Sequence, residues 1–467
     1  MQIYNTLTRK REKFVPLKEG QVGIYACGPT VYNYIHIGNA RPIVTFDVLR
    51  RYFEYRGYKV TFVQNFTDID DKILKKAKED NQFYREVSEK YIKEYFKDAH
   101  GLNVRDADVH PKVSDNIDAI IKMVSTLIEN GHAYIAENND VYFDTQSFDE
   151  YGKLSHQDLE SLEAGARITV EEKKKNAMDF ALWKAPKDDE PYFEAPFGKG
   201  RPGWHIECSA MSTEILGKTF DIHCGGRDLI FPHHENEIAQ SECCYNEKFA
   251  NYWMHNGYIN VDGSKMSKSL GNFFTVREIA EKTGYEVIRY LMLSSHYRTP
   301  INFSKEILDQ NKNSLDRLYN CKNNLEFEIK KSDGENELEN YKNELEKFRQ
   351  QFITAMDDDL NTADALAAIF DLTKYINTNI LEKGLKRQIL EDSLELFVEL
   401  NDVLGFLYER REQTTIDGEE IERLIAERQK ARAEKNYELA DKIRDELSER
   451  GIELKDTKDG VKWAIKQ

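Results

Sequence analysis

Cys27 stands directly after a short apolar run, "QVGIYA" at residues 21–26, and is followed by Gly28 and Pro29. Taken alone, a free cysteine is ordinarily a buried, inert thiol. Its surroundings add chemistry. Nine residues on, "HIGN" places His36, Gly38 and Asn39 where a strand-to-helix junction is expected. Free backbone N–H groups and the helix dipole at such a junction favour a phosphate. Gly38 would let a polyphosphate approach the backbone closely, and the Asn39 amide can cap a helix or donate a hydrogen bond. Far down the chain, "DGSKMSKSLGN" carries Lys265 and Lys268 among three serines and two glycines. That composition suits a mobile clamp on an anionic leaving group. Either stretch alone is modest evidence, because a Lys-Ser surface loop is commonplace.

These residues need elements to hold them. Residues 21–26 read as a buried strand. From Asn39 the apolar positions Ile43, Phe46, Leu49 and Phe53 recur at helical spacing, and Gly57 sits where a helix-terminating glycine belongs. "YKVTFVQNFTDID" reads as a second buried strand. Strand, helix and strand in succession make a βαβ unit and a parallel sheet, whose ligands collect at the carboxyl ends of its strands. Cys27 to His36 and Asn65 to Asp71 lie at two such ends.

Residues from about 130 to 200 read as a small insertion with loops, after which the α/β pattern resumes. From Ser304 onward the character is helical, and Leu366, Ile369, Phe370, Thr373 and Ile376 share one helical face. "KKSDGENELEN" is expected to be an exposed turn between helices. "IERLIAERQKARAEKNYELADKIRDELSERG" reads as two helices, and the last residues as a hairpin turning at Asp459-Gly460.

The chain has 467 residues, which suggests about two to four domains. With 40% hydrophobic and 32% charged residues it is of the soluble globular class. No apolar run approaches the ~20 residues of a membrane span, and "MQIYNTLTRKREKF" lacks a signal peptide's apolar core. The cytoplasm is the expected compartment, with no membrane partner. Six cysteines are too few for a disulfide scaffold. A net charge of −17 argues against coating nucleic acid non-specifically. Residues 421–467, with 12 Lys plus Arg against 11 Asp plus Glu, form a near-neutral tail on an acidic body.

"HIGN" and "KMSKS", in this order, resemble the paired signatures of class I aminoacyl-tRNA synthetases, with Asn39 replacing the last His of the usual tetrapeptide. "YACGPTVYNYIHIGNARP", "NFTDIDDKI", "RPGWHIECSAM", "DIHCGGRDLIFPHHENEIAQSE", "KMSKSLGNF" and "DTKDGVKW" resemble the cysteinyl-tRNA synthetases in particular, and these blocks run from end to end of the chain. The resemblance implies an α/β Rossmann-like catalytic domain with a small connective insertion, then an α-helical bundle, then a small mixed α/β C-terminal anticodon-binding domain. The corresponding expected ranges are 1–305 (insertion about 130–200), 306–410 and 411–467. It implies L-cysteine, ATP and cysteine tRNA as partners, Mg²⁺ with the ATP, and a monomer.

It also implies one zinc ion held by Cys27, Cys208, His233 and Glu237. The residue chemistry agrees, since two thiols, an imidazole and a carboxylate are credible zinc ligands. Pro232 fits a first helical position, so that His233 and Glu237, four apart, would face the same way. From the residues alone Cys224, Cys243, Cys244 and His234 are equal rivals, and Cys27 and Cys208 are 181 residues apart. A soft metal separates thiolate from hydroxyl where a shaped pocket gives only ~10–200-fold per small group; this account needs no editing domain. By the same resemblance Cys27, Cys208 and His233, with Thr67 and Trp204, bound the cysteine pocket. His36, Lys265 and Lys268 attend the reacting phosphates, and Gly38, Asn39, Gly225, Gly226 and Asp228 serve ATP. For Gly225, Gly226 and Asp228 an ordinary tight turn is an equal reading; for Trp204 a core position is the alternative. Trp463 is expected either to stack on a base or to pack. "DIDDK", Asp68 to Lys72, reads as a helix cap. Two rival functions remain at this point: a ligase passing cysteine to a small amine, as in the mycothiol pathway, and a non-catalytic zinc- or RNA-binding paralogue. The length of chain beyond residue 305 disfavours the first and intact "HIGN" and "KMSKS" disfavour the second.

Overall fold

The computed structural model describes residues 1–157, 174–187, 190–261, 264–265, 274–332, 339–383, 386–408, 418–449, 452–457 and 460–465. The elements that carry the site begin with a hairpin, β1 (Gln2–Asn5) and β2 (Lys10–Lys13), and then β3 (Gln21–Ala26), α1 (Ile37–Tyr55) and β4 (Lys59–Gln64). The apolar stretch of β3 is buried from Ile24 to Ala26, and β3 pairs in parallel with β4 over six residues each. Helix α1 begins two residues earlier than the apolar period suggests, and Gly57 follows its end at φ +84°. Ile43, Phe46, Leu49 and Phe53 are all buried, as their spacing requires.

Helices α2 (Asp71–Asp80), α3 (Tyr84–Gly101) and α4 (Ile117–Glu129) follow. Asp70 caps α2 by accepting the Lys72 N–H at 2.8 Å, so "DIDDK" is a helix start. Next come β5 (Ala133–Ile135), β6 (Val141–Phe143), β7 (Phe180–Lys184) and β8 (Arg201–Pro202), an antiparallel sheet in that order. The loop-rich reading of this stretch missed the sheet, because strands of two to five residues carry too few alternations to register as a period.

Helix α5 (Ile206–Leu216), β9 (Phe220–Gly226), α6 (Glu235–Tyr245) and β10 (Ala250–Asn256) complete the central layer. The parallel sheet has the order β10-β9-β3-β4. The chain runs outward from β3 to β4 on one side and from β9 to β10 on the other. The carboxyl edge between β3 and β9 is therefore the switch point, where a doubly wound sheet opens a crevice. Beyond it lie β11 (Ile259–Val261), β12 (Ser264–Lys265), α7 (Val276–Thr283), α8 (Tyr285–Leu293) and β13 (Ile301–Phe303), with β11 between β12 and β13.

The rest is helical: α9 (Lys305–Lys331), α10 (Glu339–Asp357), α11 (Thr362–Tyr375), α12 (Arg387–Leu404), α13 (Gly418–Ala433) and α14 (Tyr437–Glu449), then the hairpin β14 (Ile452–Thr457) and β15 (Gly460–Ile465). Leu366, Ile369, Thr373 and Ile376 are buried, Phe370 partly so. Most of the expected turn at 330–340 lies outside the described residues. So does Asp459, while Gly460 already pairs with Thr457.

The chain divides into two compact units: Met1–Leu308 with Glu346–Ile369 and Val403–Gly405, and Asp309–Leu345 with Phe370–Asp402 and Phe406–Gln467. In the first, buried Asp47 of α1 accepts from Arg51 Nε at 2.8 Å and Arg289 Nη2 at 2.7 Å, and these partners hold its carboxyl below the usual range against the opposing effect of burial. In the second, Leu424, Ile425, Ile443 and Leu447 of α13 and α14 form a core against Leu454 and Val461 of the hairpin. Among the described residues no helix is long and apolar enough to cross a membrane.

Candidate active site

Two strand ends and two helices deliver the site. Cys27 leaves β3, and its N–H donates to Cys224 O of β9 at 3.2 Å. Gly28 follows because nothing larger fits: a Cβ there would lie 1.6 Å from the backbone oxygen of Asn65, just past β4. The Gly28 N–H donates to Asn65 Oδ1 at 2.8 Å, so the ends of β3 and β4 are locked side by side. Thr67 continues from β4, buried, its hydroxyl donating to Glu207 Oε2 at 2.7 Å.

Cys208 comes from α5 and Glu237 from α6. Phe231 is extended (φ −136°, ψ 133°), and helical backbone resumes at Pro232 and leads into α6. This turns His233 Nε2 onto Glu237 Oε1 at 3.0 Å, the four-residue relation expected from the spacing. Cys27 Sγ lies 3.8 Å from Cys208 Sγ and 3.5 Å from Glu237 Oε1. The donor atoms of Cys27, Cys208, His233 and Glu237 all lie within 4.8 Å of one another.

A second set, Cys27, His223, His234 and Glu237, meets the same criterion. Their bonding differs, and His234 Nε2 lies 3.3 Å from Cys27 Sγ. His223 Nε2 is 2.8 Å from Glu237 Oε2, the oxygen turned away from His233, and its ring stacks on Trp253 at 4.6 Å. His223 therefore steadies the carboxylate. His233 is itself backed by His205, Nδ1 to Nδ1 at 2.9 Å, and His234 by His255 at 2.8 Å. Outer partners of this kind orient metal ligands. Cys224, Cys243 and Cys244 are buried and belong to neither set.

The electrostatics favour a cation. Burial pushes the Glu237 carboxyl up, but the imidazoles of His223 and His233 win and hold it at about 2. Burial opposes charge on His233, yet Glu237 and Cys208 raise it to about 10. The Cys27 hydrogen bond brings the Cys208 thiol down to about 6, whereas burial and the Cys208 sulfur push Cys27 well up. The Cys208 thiol and the Glu237 carboxyl are thus both shifted toward their anionic forms in a buried pocket. Two sulfurs, a nitrogen and an oxygen are a zinc-type donor set.

At the start of α1 His36 is extended (φ −94°, ψ 166°). Asn39 Oδ1 accepts the His36 N–H at 3.1 Å, so its amide does cap the helix. The junction is less open than its sequence suggests, because the Ile37 N–H is taken by Phe274 O at 3.0 Å. Gly225 and Gly226 end β9. A Cβ on Gly225 would stand 2.9 Å from the His234 ring, and one on Gly226 2.5 Å from an oxygen of Asp228. Trp204 is 41% exposed, so it is not a core residue, and its ring lies 4.5 Å from that of His233. Lys265 pairs through its backbone with Asn260. Its side chain, Lys268 and the side chain of Trp463 lie outside the described residues.

Residues 13–313 match the model of the class I (C) tRNA synthetase catalytic domain. The chain belongs to the cysteinyl-tRNA synthetases of class I. Residues 351–408 match the DALR domain and 418–463 the cysteinyl-tRNA ligase anticodon-binding domain. As a cysteinyl-tRNA synthetase it is an ATP-dependent aminoacyl-tRNA ligase whose partners are an amino acid, ATP and tRNA. Its fold is similar to Mycobacterium tuberculosis methionyl-tRNA synthetase in complex with methionyl-adenylate, at TM-score 0.62 and 15% identity over 82% of this chain and 90% of that one. It is also similar to the Agrobacterium radiobacter K84 agnB2 LeuRS in its ternary complex with tRNA and LeuAMS, at TM-score 0.59 and 12% identity over 84% and 86%.

Proposed function

We propose that this synthetase selects cysteine by its sulfur, with zinc held by Cys27, Cys208, His233 and Glu237. The observation that carries this reading is the buried cluster of two thiols, imidazole and carboxylate at the carboxyl edge of the parallel sheet. When bound, zinc supplies a soft Lewis acid that takes a thiolate in preference to a hydroxyl. Glu237 and His233 keep the pocket's charge fixed, and His223 and His205 hold those two side chains in place. Thr67, with Trp204 at the mouth, bounds the rest of the amino acid.

Activation needs no general base, because an amino-acid carboxylate is ionised at pH 7. It attacks the α-phosphorus of ATP in line, and the bond to the β-phosphate oxygen breaks to release pyrophosphate. The chain's part is positioning and charge stabilisation. His36 lies at the helix start to meet the phosphates, with Gly38 and Asn39 beside it. Lys265 and Lys268 hold the β- and γ-phosphates as charge moves onto the leaving group, with Mg²⁺ accompanying ATP. Gly225, Gly226 and Asp228 take adenine and ribose. The cysteinyl group then passes to the 2′-hydroxyl of the terminal adenosine of cysteine tRNA. The anticodon-binding match supports tRNA rather than a small amine as acceptor. We take the protein to be a cytoplasmic monomer with domains near 1–305, 306–410 and 411–467.

The test is metal analysis of the purified protein combined with ATP–pyrophosphate exchange driven by cysteine and by serine. Stoichiometric zinc and exchange with cysteine alone are expected. A metal-free active protein, or equal exchange with serine, would end the selection reading; failure to charge cysteine tRNA would reopen the small-amine acceptor.

A further inference from the structure

Arg41 lies one turn into α1 and is completely buried. Its guanidinium donates to two main-chain carbonyls, Nη1 to Tyr258 O and Nη2 to His296 O, each at 3.1 Å, and Nε has no hydrogen-bond partner. Among the described residues no carboxylate forms an ion pair with it, whereas the other fully buried arginine, Arg289, is paired with Asp47. Burial lowers Arg41 to about 10, so it stays charged at neutral pH. An uncompensated buried cation carries a desolvation cost that an apolar side chain of the same length would avoid. Fold stability alone does not account for it.

Its two acceptors sit at a junction. Tyr258 O also accepts the Ile301 N–H at 3.0 Å, the bond that opens the β11–β13 ladder. The Gly257 N–H donates to Tyr297 O at 2.8 Å, and a Cβ on Gly257 would lie 2.7 Å from Arg298 O. Two residues beyond Tyr258, Asn260 pairs with Lys265 on β12. Arg41 therefore fastens to α1 the turn that leads into β11, the strand on which β12 and Lys265 pair. At the start of α1 the Ile37 N–H donates to Phe274 O and the Val276 N–H to Ile35 O, each at 3.0 Å.

We propose that Arg41 is a positioning residue for amino-acid activation, setting the start of β11, and with it the backbone of Lys265 paired on β12, against α1 by bridging Tyr258 and His296. A forked guanidinium holds two carbonyls at once; an ammonium is a point charge without that fixed geometry. The role belongs to the step in which ATP is cleaved and not to transfer onto tRNA. It rests on the assignment of Lys265 and Lys268 to the phosphates.

The test uses full-length, zinc-loaded protein carrying Arg41→Met or Arg41→Lys. For Arg41→Met the melting temperature and zinc content stay at or above wild type. The kcat of cysteine-dependent ATP–pyrophosphate exchange falls about 100-fold. Both KM values, and the single-turnover transfer from preformed adenylate to tRNA, change less than about threefold. Arg41→Lys lies between Met and wild type. Wild-type kcat per folded site in Arg41→Met would overturn the proposal, as would an equal fall in the transfer rate. Should Arg41→Met fail to fold, wild-type kcat in Arg41→Lys would overturn it and a reduced kcat at unchanged KM would uphold it. Lys268→Ala serves as the reference: wild-type exchange there would remove the lysine assignment itself, whereas wild-type exchange in Arg41→Met alone would remove only the role of Arg41.

Discussion

At the sulfur end of the crevice, Cys27, Cys208, His233 and Glu237 arrive from three separate stretches of chain and are held by other side chains: His205, His223 and, through Gly28, Asn65. At the end we propose for the phosphates, His36, Gly38 and Asn39 are consecutive or nearly so, and the bonds are local or to the main chain: the Asn39 side chain accepts the His36 N–H and Phe274 O the Ile37 N–H. The first arrangement fixes charge in a dry place. A substitution at the sulfur end should therefore alter which amino acid is accepted, and one at the phosphate end how fast ATP is cleaved.

The largest effect is expected from Cys208→Ser. Losing one of two sulfurs weakens the zinc set, and kcat/KM for cysteine should fall by about a thousandfold, ~4 kcal/mol, while ATP binding measured by equilibrium dialysis stays near wild type. An equal loss of both affinities would mean that the cluster is a structural metal centre and that the two ends are not separable. Next in size, Lys268→Ala should lower the kcat of pyrophosphate exchange about 100-fold with the cysteine KM little changed. A rise in cysteine KM without a fall in kcat would break the comparison from the other side.

Asn39 probes the phosphate end more finely. Asn39→Ala removes the acceptor of the His36 N–H and should cost about 1 kcal/mol, read as a fall of about 1–2 °C in melting temperature. Asn39→Asp keeps the acceptor, so stability should return, but it sets a negative charge beside the phosphates and should raise the ATP KM. Unchanged ATP kinetics in Asn39→Asp would place the nucleotide elsewhere.

The two ends also differ in how far the sequence revealed them. The β3–α1–β4 unit was legible because a run of β-branched and aromatic residues, then a helical period closed by Gly57, is written locally. Asp70 and Asn39 were legible as caps for the same reason. The sulfur cluster was not, since Cys27 and Cys208 meet only after folding and three other cysteines compete with them on paper; resemblance to a family supplied what spacing lacked. His223, His205 and His255 were missed. The one available signal for His223 was a histidine amid the buried run of β9, a polar group that must find a partner there. Arg41 was missed because an arginine in a helix ordinarily reads as solvent-facing. The sheet at 133–202 was missed because its strands are too short to show alternation.

A histidine at the same sheet edge but outside both ends isolates the scaffold's own response to pH. The His110 Nε2 accepts the Ala107 N–H at 3.0 Å, which leaves Nδ1–H to donate to Gln64 O at 2.9 Å. The ring stacks on Phe66 at 5.0 Å. The geometry fixes a neutral tautomer, and burial lowers the His110 pKa below its ordinary 6.5 despite the Gln64 bond. The unfolded chain then binds the proton at higher pH than the folded one, so stability is lost as pH falls below about 6.5 and the loss ends below the folded pKa. Its slope is at most about 1.4 kcal/mol per pH unit. His110→Asn, which cannot titrate, should have a shallower fall in urea midpoint between pH 6.5 and 5 than wild type, both measured zinc-loaded. The variant's cysteine-to-serine preference should stay unchanged, because Gln64 lies before the residues that face the sulfur. Identical slopes would mean that His110 takes up its proton at the same pH in the folded and unfolded chain. A changed amino-acid preference would mean that the edge of β4 transmits to the sulfur end after all.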